Sequence, residues 1–281
     1  MPRRSRLTQL VKRVDAVSDG APPANTVPTG FPTLDKNLGG GVRRGDLVVL
    51  GGDVGVGKSA LALAIALRAA EAGRGVEFYT AEMDAERVLE RALAIEGRVS
   101  IDELRSGVMD EGTRASVGAA TLRLHDRLPK VARMPAGGPE AVAKALGKVP
   151  ATELVIVDPL QHVPGGALAQ EEELAHAVRR LKDAAVSANV ALIVTAHLPA
   201  LPAVRENMRP VLDDFGALGS VKQLADVVLG LYRDELYNPA FGQEGATELA
   251  ILKNRTGATT YIDLYYYKKW LRFEDMVDPD R

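Results

Sequence analysis

Between Gly52 and Ser59 the chain reads GDVGVGKS, the G-x-x-x-x-G-K-[ST] spacing of a phosphate-binding loop. Glycines at 52, 55 and 57 free the backbone to turn its N–H groups toward anionic oxygens. In that arrangement Lys58 reaches the β- and γ-phosphates of a nucleotide and Ser59 ligates Mg²⁺. Gly52, Asp53, Val54, Gly55, Val56, Gly57 and Ala60 complete the cradle. A glycine-rich turn without a ligand is the competing reading. The flanks argue against it, because LVVL precedes the loop and SALALAIAL follows, a strand and then a helix.

Other apolar runs end in groups suited to the same chemistry. LVIVD (Leu154–Asp158) closes on a carboxylate placed to hold Mg²⁺ through water, or else to cap the next segment. VEFYTAEM puts Glu82 at the end of a further run, either as a base that polarises the attacking water or as a neighbour of a helix cap. VALIVTAH ends in His197, read as a γ-phosphate sensor or as a structural histidine. His125, His162 and His176 have no partner at metal-ligand spacing and read as structural. In KNRTG, Lys253 and Arg255 stand two apart and share a strand face, so both can reach one phosphate or both can be solvated.

The elements that would position these groups alternate along the chain. Strands are predicted at Asp46–Gly52, Val76–Glu82, Glu153–Asp158, Val190–His197, Asp226–Arg233, Thr247–Lys253 and Thr259–Tyr267. Helices are predicted at Lys58–Ala72, Ala85–Ala94, Glu111–Arg127, Pro139–Leu146 and Glu171–Ala188. Continuous apolar strands between helices imply an α/β fold with a mainly parallel sheet covered on both faces. The last strands have no helix between them and read as antiparallel additions at one edge. Ahead of this body, Leu7, Leu10, Val11, Val14 and Val17 follow helical spacing, and Ser18–Gly30 reads as an irregular linker. The division is therefore 1–29, a helix and linker, and 30–281, the α/β body that carries the phosphate loop.

Composition sets outer bounds. The chain has 281 residues, with 35 Lys and Arg against 37 Asp and Glu. A net charge of −2 excludes coating of nucleic acid by bulk charge but leaves room for a local basic loop. No cysteine is present, which excludes disulfides, cysteine zinc sites and thiol nucleophiles. No apolar run approaches a bilayer span, and none follows the basic start MPRRSRL, so neither a membrane segment nor a secretory signal is expected and the cytoplasm is the expected location.

Read together, VPTGFPTLDKNLGGGVRRGDLVVL, the phosphate loop, FYTAEMDAERVLERALA, VIVDPLQ, LKDAAVSANVALIVTAH, RPVLDDFGALGSVKQLADVVLGLYRDELY and KNRTG are collinear with one family. The chain resembles the RecA-like motor domain of replicative DnaB-type hexameric helicases over Val27–Phe273. The resemblance implies a RecA-like P-loop NTPase fold and an ATP-dependent DNA helicase or translocase working as a ring on single-stranded DNA. It implies ATP and Mg²⁺ at Lys58 and Ser59, Asp158 as the Walker B acid, Glu82 as catalytic base and His197 as phosphate sensor. Arg255 becomes an arginine finger given to the neighbour's nucleotide, with Lys253 assisting. The N-terminal helix resembles that family's linker helix, which docks on the adjacent subunit.

The chain also departs from the family pattern. The family's primase-interacting domain has no counterpart in residues 1–29. His197 stands where glutamine is usual, and the phosphate loop is richer in glycine, closer to RadA- and RecA-like ATPases. RadA-type proteins carry a cysteine zinc module, so no zinc is expected here. The DNA-contacting loop, normally like D-L-R-E-S-G-S, reads DFGALGS (Asp214–Ser220), with Gly216 and Ala217 in place of an arginine and a glutamate. DNA contact then falls to Arg205 and Arg209, or to backbone N–H groups at Gly216 and Gly219. A ring ATPase that does not unwind DNA, and a nucleotide-binding scaffold without turnover, stand as the alternatives.

Overall fold

A computed structural model describes residues 3–21, 23, 25–146, 151–163, 165–166, 168–199, 205–240 and 242–276. The chain opens with α1 (Arg3–Ser18), then β1 (Thr26–Val27), α2 (Pro32–Asn37) and β2 (Val42–Arg43). The body follows as β3 (Leu47–Gly52), α3 (Lys58–Glu71), β4 (Gly75–Thr80), α4 (Ala85–Gly97), α5 (Ile101–Ser106), α6 (Glu111–His125), β5 (Lys130–Arg133), α7 (Gly138–Leu146), β6 (Thr152–Asp158), α8 (Gln170–Ala188) and β7 (Ala191–His197). It closes with α9 (Ser220–Leu224), β8 (Val227–Tyr232), β9 (Ala246–Asn254), β10 (Thr260–Tyr267) and β11 (Arg272–Asp275).

Nine strands form one sheet in the order β11-β10-β9-β8-β3-β7-β6-β4-β5. From β8 to β5 every neighbour is parallel, while β9, β10 and β11 are antiparallel additions at one edge. The phosphate-loop strand β3 lies near the middle, between β7 and β8, and all six of its residues are buried. Such continuous apolar strands suit a sheet covered on both faces. Helix α3 covers one face, with Leu61, Leu63, Ile65 and Leu67 buried against it, each contributing about 1.5–3 kcal/mol. Helix α8 covers the other through Ala177, Val178, Leu181 and Ala185.

Observed strands match the predicted ones to within a residue or two, with one difference that matters for chemistry. Strand β4 stops at Thr80, so Glu82 stands on the bend beyond it and not on the strand. Short edge strands β5 and β11 had no apolar run to announce them. The packed body begins at Thr26 and not at Gly30, because β1 pairs antiparallel with β2 and Val27 is buried. Helix α1 leaves Leu7, Leu10, Val11 and Val14 exposed.

Candidate nucleotide site

Parallel strands point their C-terminal ends the same way, so one edge of the sheet collects the ends of β3, β4, β6 and β7. At β3 the chain leaves the sheet through residues 52–60. Gly52 is required by close approach, since a Cβ there would lie 2.8 Å from the Leu231 carbonyl oxygen. Gly57, at φ +106°, caps α3 in a left-handed conformation and sits against the Phe273 ring. Val54 is exposed at the loop tip and Val56 is buried. The Asp53 carboxylate accepts from its neighbour Val54 N and from the Tyr237 hydroxyl at 2.9 Å.

Lys58 is buried and donates to the carbonyls of Gly52 (3.0 Å) and Asp53 (2.8 Å). Burial lowers its pKa, opposed by the charges of Asp158, Asp53 and Glu82. Ser59 Oγ donates to Asp158 Oδ1 at 3.0 Å, and Thr195 Oγ1 donates to the same oxygen. The other oxygen, Asp158 Oδ2, is buried without a protein partner, and burial raises the pKa of the group. A buried, unpartnered carboxylate oxygen beside a serine hydroxyl fits a hydrated Mg²⁺, which keeps several waters and binds few protein oxygens. Among the described residues no cluster of three His, Cys, Asp or Glu side chains is arranged to cage a metal.

Glu82 and His197 meet at this edge, with His197 Nε2 2.9 Å from Glu82 Oε1. On the other side of the ring, Nδ1 is buried without a hydrogen-bond partner. Gln161 clamps the histidine from behind: its Nε2 donates to the His197 carbonyl and its Oε1 accepts from His197 N. His162 also lies at this edge, its Nδ1 3.9 Å from Glu82 Oε1.

Lys253 and Arg255 lie at the opposite end of the sheet. Strand β9 runs antiparallel to β8, so its end pairs with the start of β8, Val227 opposite Asn254. The six residues of β8 separate this end from the phosphate loop by roughly 20 Å, beyond an arginine's reach. Both cations donate to the Gln223 carbonyl, Lys253 at 3.2 Å from the end of β9 and Arg255 at 3.4 Å from the turn beyond it. Lys253 also donates to Lys222 O at 2.6 Å.

The profile of the DnaB-like helicase C-terminal domain family matches residues 26–275. The chain belongs to that family. It is 28% identical over 269 residues to the replicative DNA helicase DnaB of Geobacillus stearothermophilus, covering 89% of this chain and 56% of that protein. To the DnaB of Pasteurella multocida it is 28% identical over 284 residues, 97% of this chain and 60% of that one. The chain thus spans little more than half the length of these curated relatives. Its fold superposes on the ATPase domain of G40P with a TM-score of 0.87 at 22% identity, covering 96% of this chain and 98% of that chain. A DnaB-like replicative helicase whose structure was described with its primase interactions gives the same TM-score at 21% identity, covering 99% of this chain and 67% of that chain. The fold is RecA-like.

Against this DnaB-like frame, the stretch before α9 differs from its expectation. Residues 200–204 lie outside the described residues. Arg205 and Arg209 do not stand free for a phosphate strand. Arg205 donates to Asp214 Oδ1 at 2.8 Å, and Arg209 makes a two-point pair with Glu248 while stacking 4.7 Å over the Tyr232 ring. Their charge is neutralised within the chain, which no local pattern discloses. Gly216 and Gly219 both have positive φ, and so do Ala217 and Leu218 between them. The Leu218 N–H in that run already donates to a carboxylate, Glu171 Oε2, at 3.2 Å.

Four groups at or near the site carry no motif signal in the sequence pattern: Thr195, Gln161, Tyr237 and Arg233. Buried Arg233 lies with NH1 3.4 Å from Gly55 O and its guanidinium 4.6 Å from the Tyr266 ring. The one available signal was position, since Thr195 and Arg233 sit at ends of strands whose neighbours had been singled out.

No helix among the described residues is long and apolar enough to cross a membrane.

Proposed function

We propose that this chain is the motor of an ATP-dependent, DnaB-type DNA helicase or translocase, hydrolysing ATP with Mg²⁺ between copies arranged in a hexameric ring on single-stranded DNA. The observation that carries the reading is the split between the two ends of the sheet. Lys58, Ser59, Asp158 and Glu82 share one end, whereas the cation suited to the transition state, Arg255, is roughly 20 Å away at the other. One copy therefore holds half a site, and a second copy supplies the rest.

Each residue has a part in that site. The backbone of residues 52–60 and the Lys58 ammonium bind the phosphates; Ser59 and Asp158 hold Mg²⁺, which when bound offsets phosphate charge. Glu82 accepts a proton from the attacking water, and His197, bonded to Glu82, senses the γ-phosphate. Arg255 of the adjacent copy stabilises charge on the transferring group, with Lys253 beside it. Exposed apolar residues on α1 suit docking on that copy. The consecutive left-handed residues 216–219 suit backbone contacts to phosphate, in which a phosphate oxygen would replace the Glu171 carboxylate on the Leu218 N–H.

Two measurements test this. Mixing Arg255→Ala with Lys58→Ala chains is expected to restore Mg²⁺-dependent turnover at hybrid interfaces where intact halves meet. Full turnover from a dilute, demonstrated monomer overturns the shared site. Fluorescence anisotropy with a labelled oligonucleotide, in a non-hydrolysable nucleotide, is expected to show weak, sequence-independent, salt-sensitive binding. No binding at low salt replaces the helicase reading with that of a ring ATPase that does not unwind DNA.

A further inference from the structure

The turn carrying Arg255 is exposed, yet its arginine is tied to one buried group. Asp226, the residue before β8, has a side chain only 5% exposed and takes Arg255 Nε at 2.8 Å on Oδ1. The backbone joins the same two residues, since Arg255 N donates to the Asp226 carbonyl at 2.8 Å. The other oxygen, Oδ2, is fixed from two further directions. Leu47 N, at the start of β3, donates to it at 2.9 Å, and Lys182 Nζ from α8 donates at 2.5 Å. Lys182 is itself held by the Gly45 carbonyl at 2.9 Å.

A carboxylate fixed by β3 and α8 cannot follow the turn, so the turn must follow it. The ion pair to Asp226 is made through Nε, the nitrogen nearest the backbone. The terminal amino groups are left at the outer end of a side chain that is 52% exposed, where, among the described residues, they make a single long 3.4 Å hydrogen bond from NH2 to Gln223 O. That is the disposition a finger needs: anchored at its base and open at its tip. We propose that Asp226 is a positioning residue for catalysis in the adjacent copy, holding Arg255 at the reach and angle its partner site requires. The proposal rests on the interface reading above. Arginine is the residue type this demands, because one nitrogen can serve the tether while two others meet phosphate oxygens.

Asp226→Asn tests the tether while keeping an oxygen for Leu47 N. Steady-state ATPase is expected to show a fall in kcat of about 10- to 100-fold with KM within threefold, as for a misplaced catalytic group. The double variant Asp226→Asn, Arg255→Ala is expected to be no slower than Arg255→Ala alone. Mixing Asp226→Asn with Lys58→Ala chains is expected to recover turnover, since the second chain brings an intact finger. A kcat within threefold of the parent protein overturns the proposal, as does a double variant slower by the product of the single losses. If Arg255→Ala is itself silent, the interface reading fails first and the tether with it. Should Asp226→Asn not fold, Arg255→Lys decides, because one ammonium cannot serve carboxylate and phosphate together. Turnover as low as that of Arg255→Ala supports the tether, and anything above half of the parent rate overturns it.

Discussion

Replacing Glu82 with glutamine separates a catalytic carboxylate from a structural one. The side chain is 39% exposed, stands two residues beyond the end of β4, and makes its closest contact with His197 Nε2. Glutamine keeps an oxygen at that contact and loses only the charge-assisted part of one hydrogen bond, about 0.5–1 kcal/mol in a partly exposed setting. In a protein of this size that moves Tm by only about 1–4 °C. The loss of a general base is far larger, about 10²–10⁴ in rate, or roughly 2.7–5.4 kcal/mol of barrier. Nucleotide affinity is expected to stay within threefold, because phosphate binding is assigned to residues 52–60 and Lys58. The assay pairs steady-state phosphate release with the affinity of a fluorescent nucleotide and a thermal melt. A kcat within threefold of the parent protein refutes the assignment. So does a Tm drop above 10 °C, which would make Glu82 a structural residue.

Further outcomes follow from other parts of the molecule. Gly57→Ala meets a left-handed φ and the Phe273 ring, with a Cβ 2.9 Å from Cζ, so urea unfolding is expected to show a loss of about 2–4 kcal/mol. Lys58→Ala is expected to abolish nucleotide-dependent stabilisation in a thermal-shift assay, and an unchanged shift would remove Lys58 from the site. Burial is the first cause raising the pKa values of Tyr79, Tyr232, Tyr237 and Tyr266, with Tyr232 pushed up to about 12. Stability held by these phenols is complete below the ordinary value near pH 10 and is lost as pH rises through their raised values. Ultraviolet titration should accordingly show four of the seven tyrosines ionising late and together with unfolding. Arg205→Ala with Arg209→Ala breaks two partly exposed ion pairs, so a stability loss of about 1–2 kcal/mol is expected, with less than one unit of change in the salt slope of oligonucleotide binding.

The parts of the site that were legible in the sequence are those a strand direction dictates. The phosphate loop, Asp158 and His197 each follow an apolar run, and parallel strands bring such ends to one edge without further information. Glu82 was placed by the same logic, although β4 ends two residues earlier and the bend carries it to His197. What the sequence does not disclose is pairing across long separations. Tyr237 reaches Asp53 across 184 positions, and Asp226 meets Leu47 across 179. Neither contact has a local periodicity to reveal it. Arg209 illustrates the same limit in reverse: a cation in a proline-containing stretch reads as available, until Glu248 on β9 takes it.

The reversal between β8 and β9 makes the two ends of the sheet chemically different. Had β9 run parallel to β8, its end would have joined the edge that carries Lys58, and Arg255 could have served its own copy. Running antiparallel, it delivers Arg255 to the edge where the parallel strands begin, beside Asp226 and away from any phosphate its own loop can hold. On the proposed reading, contact between copies then joins unlike surfaces, the C-terminal strand edge of one against the N-terminal strand edge of the next. Such a heterologous contact repeats until it closes into a ring or runs on as a filament. The apolar residues left exposed along α1 lie outside the packed body and offer a second contact between copies. Leu10→Asp with Val14→Asp therefore separates the two contributions. If α1 joins neighbours, light scattering should show smaller assemblies, with turnover falling in proportion to the interfaces lost and rising again with protein concentration. Unchanged assembly with unchanged turnover would leave the sheet edges as the sole contact that the chemistry requires.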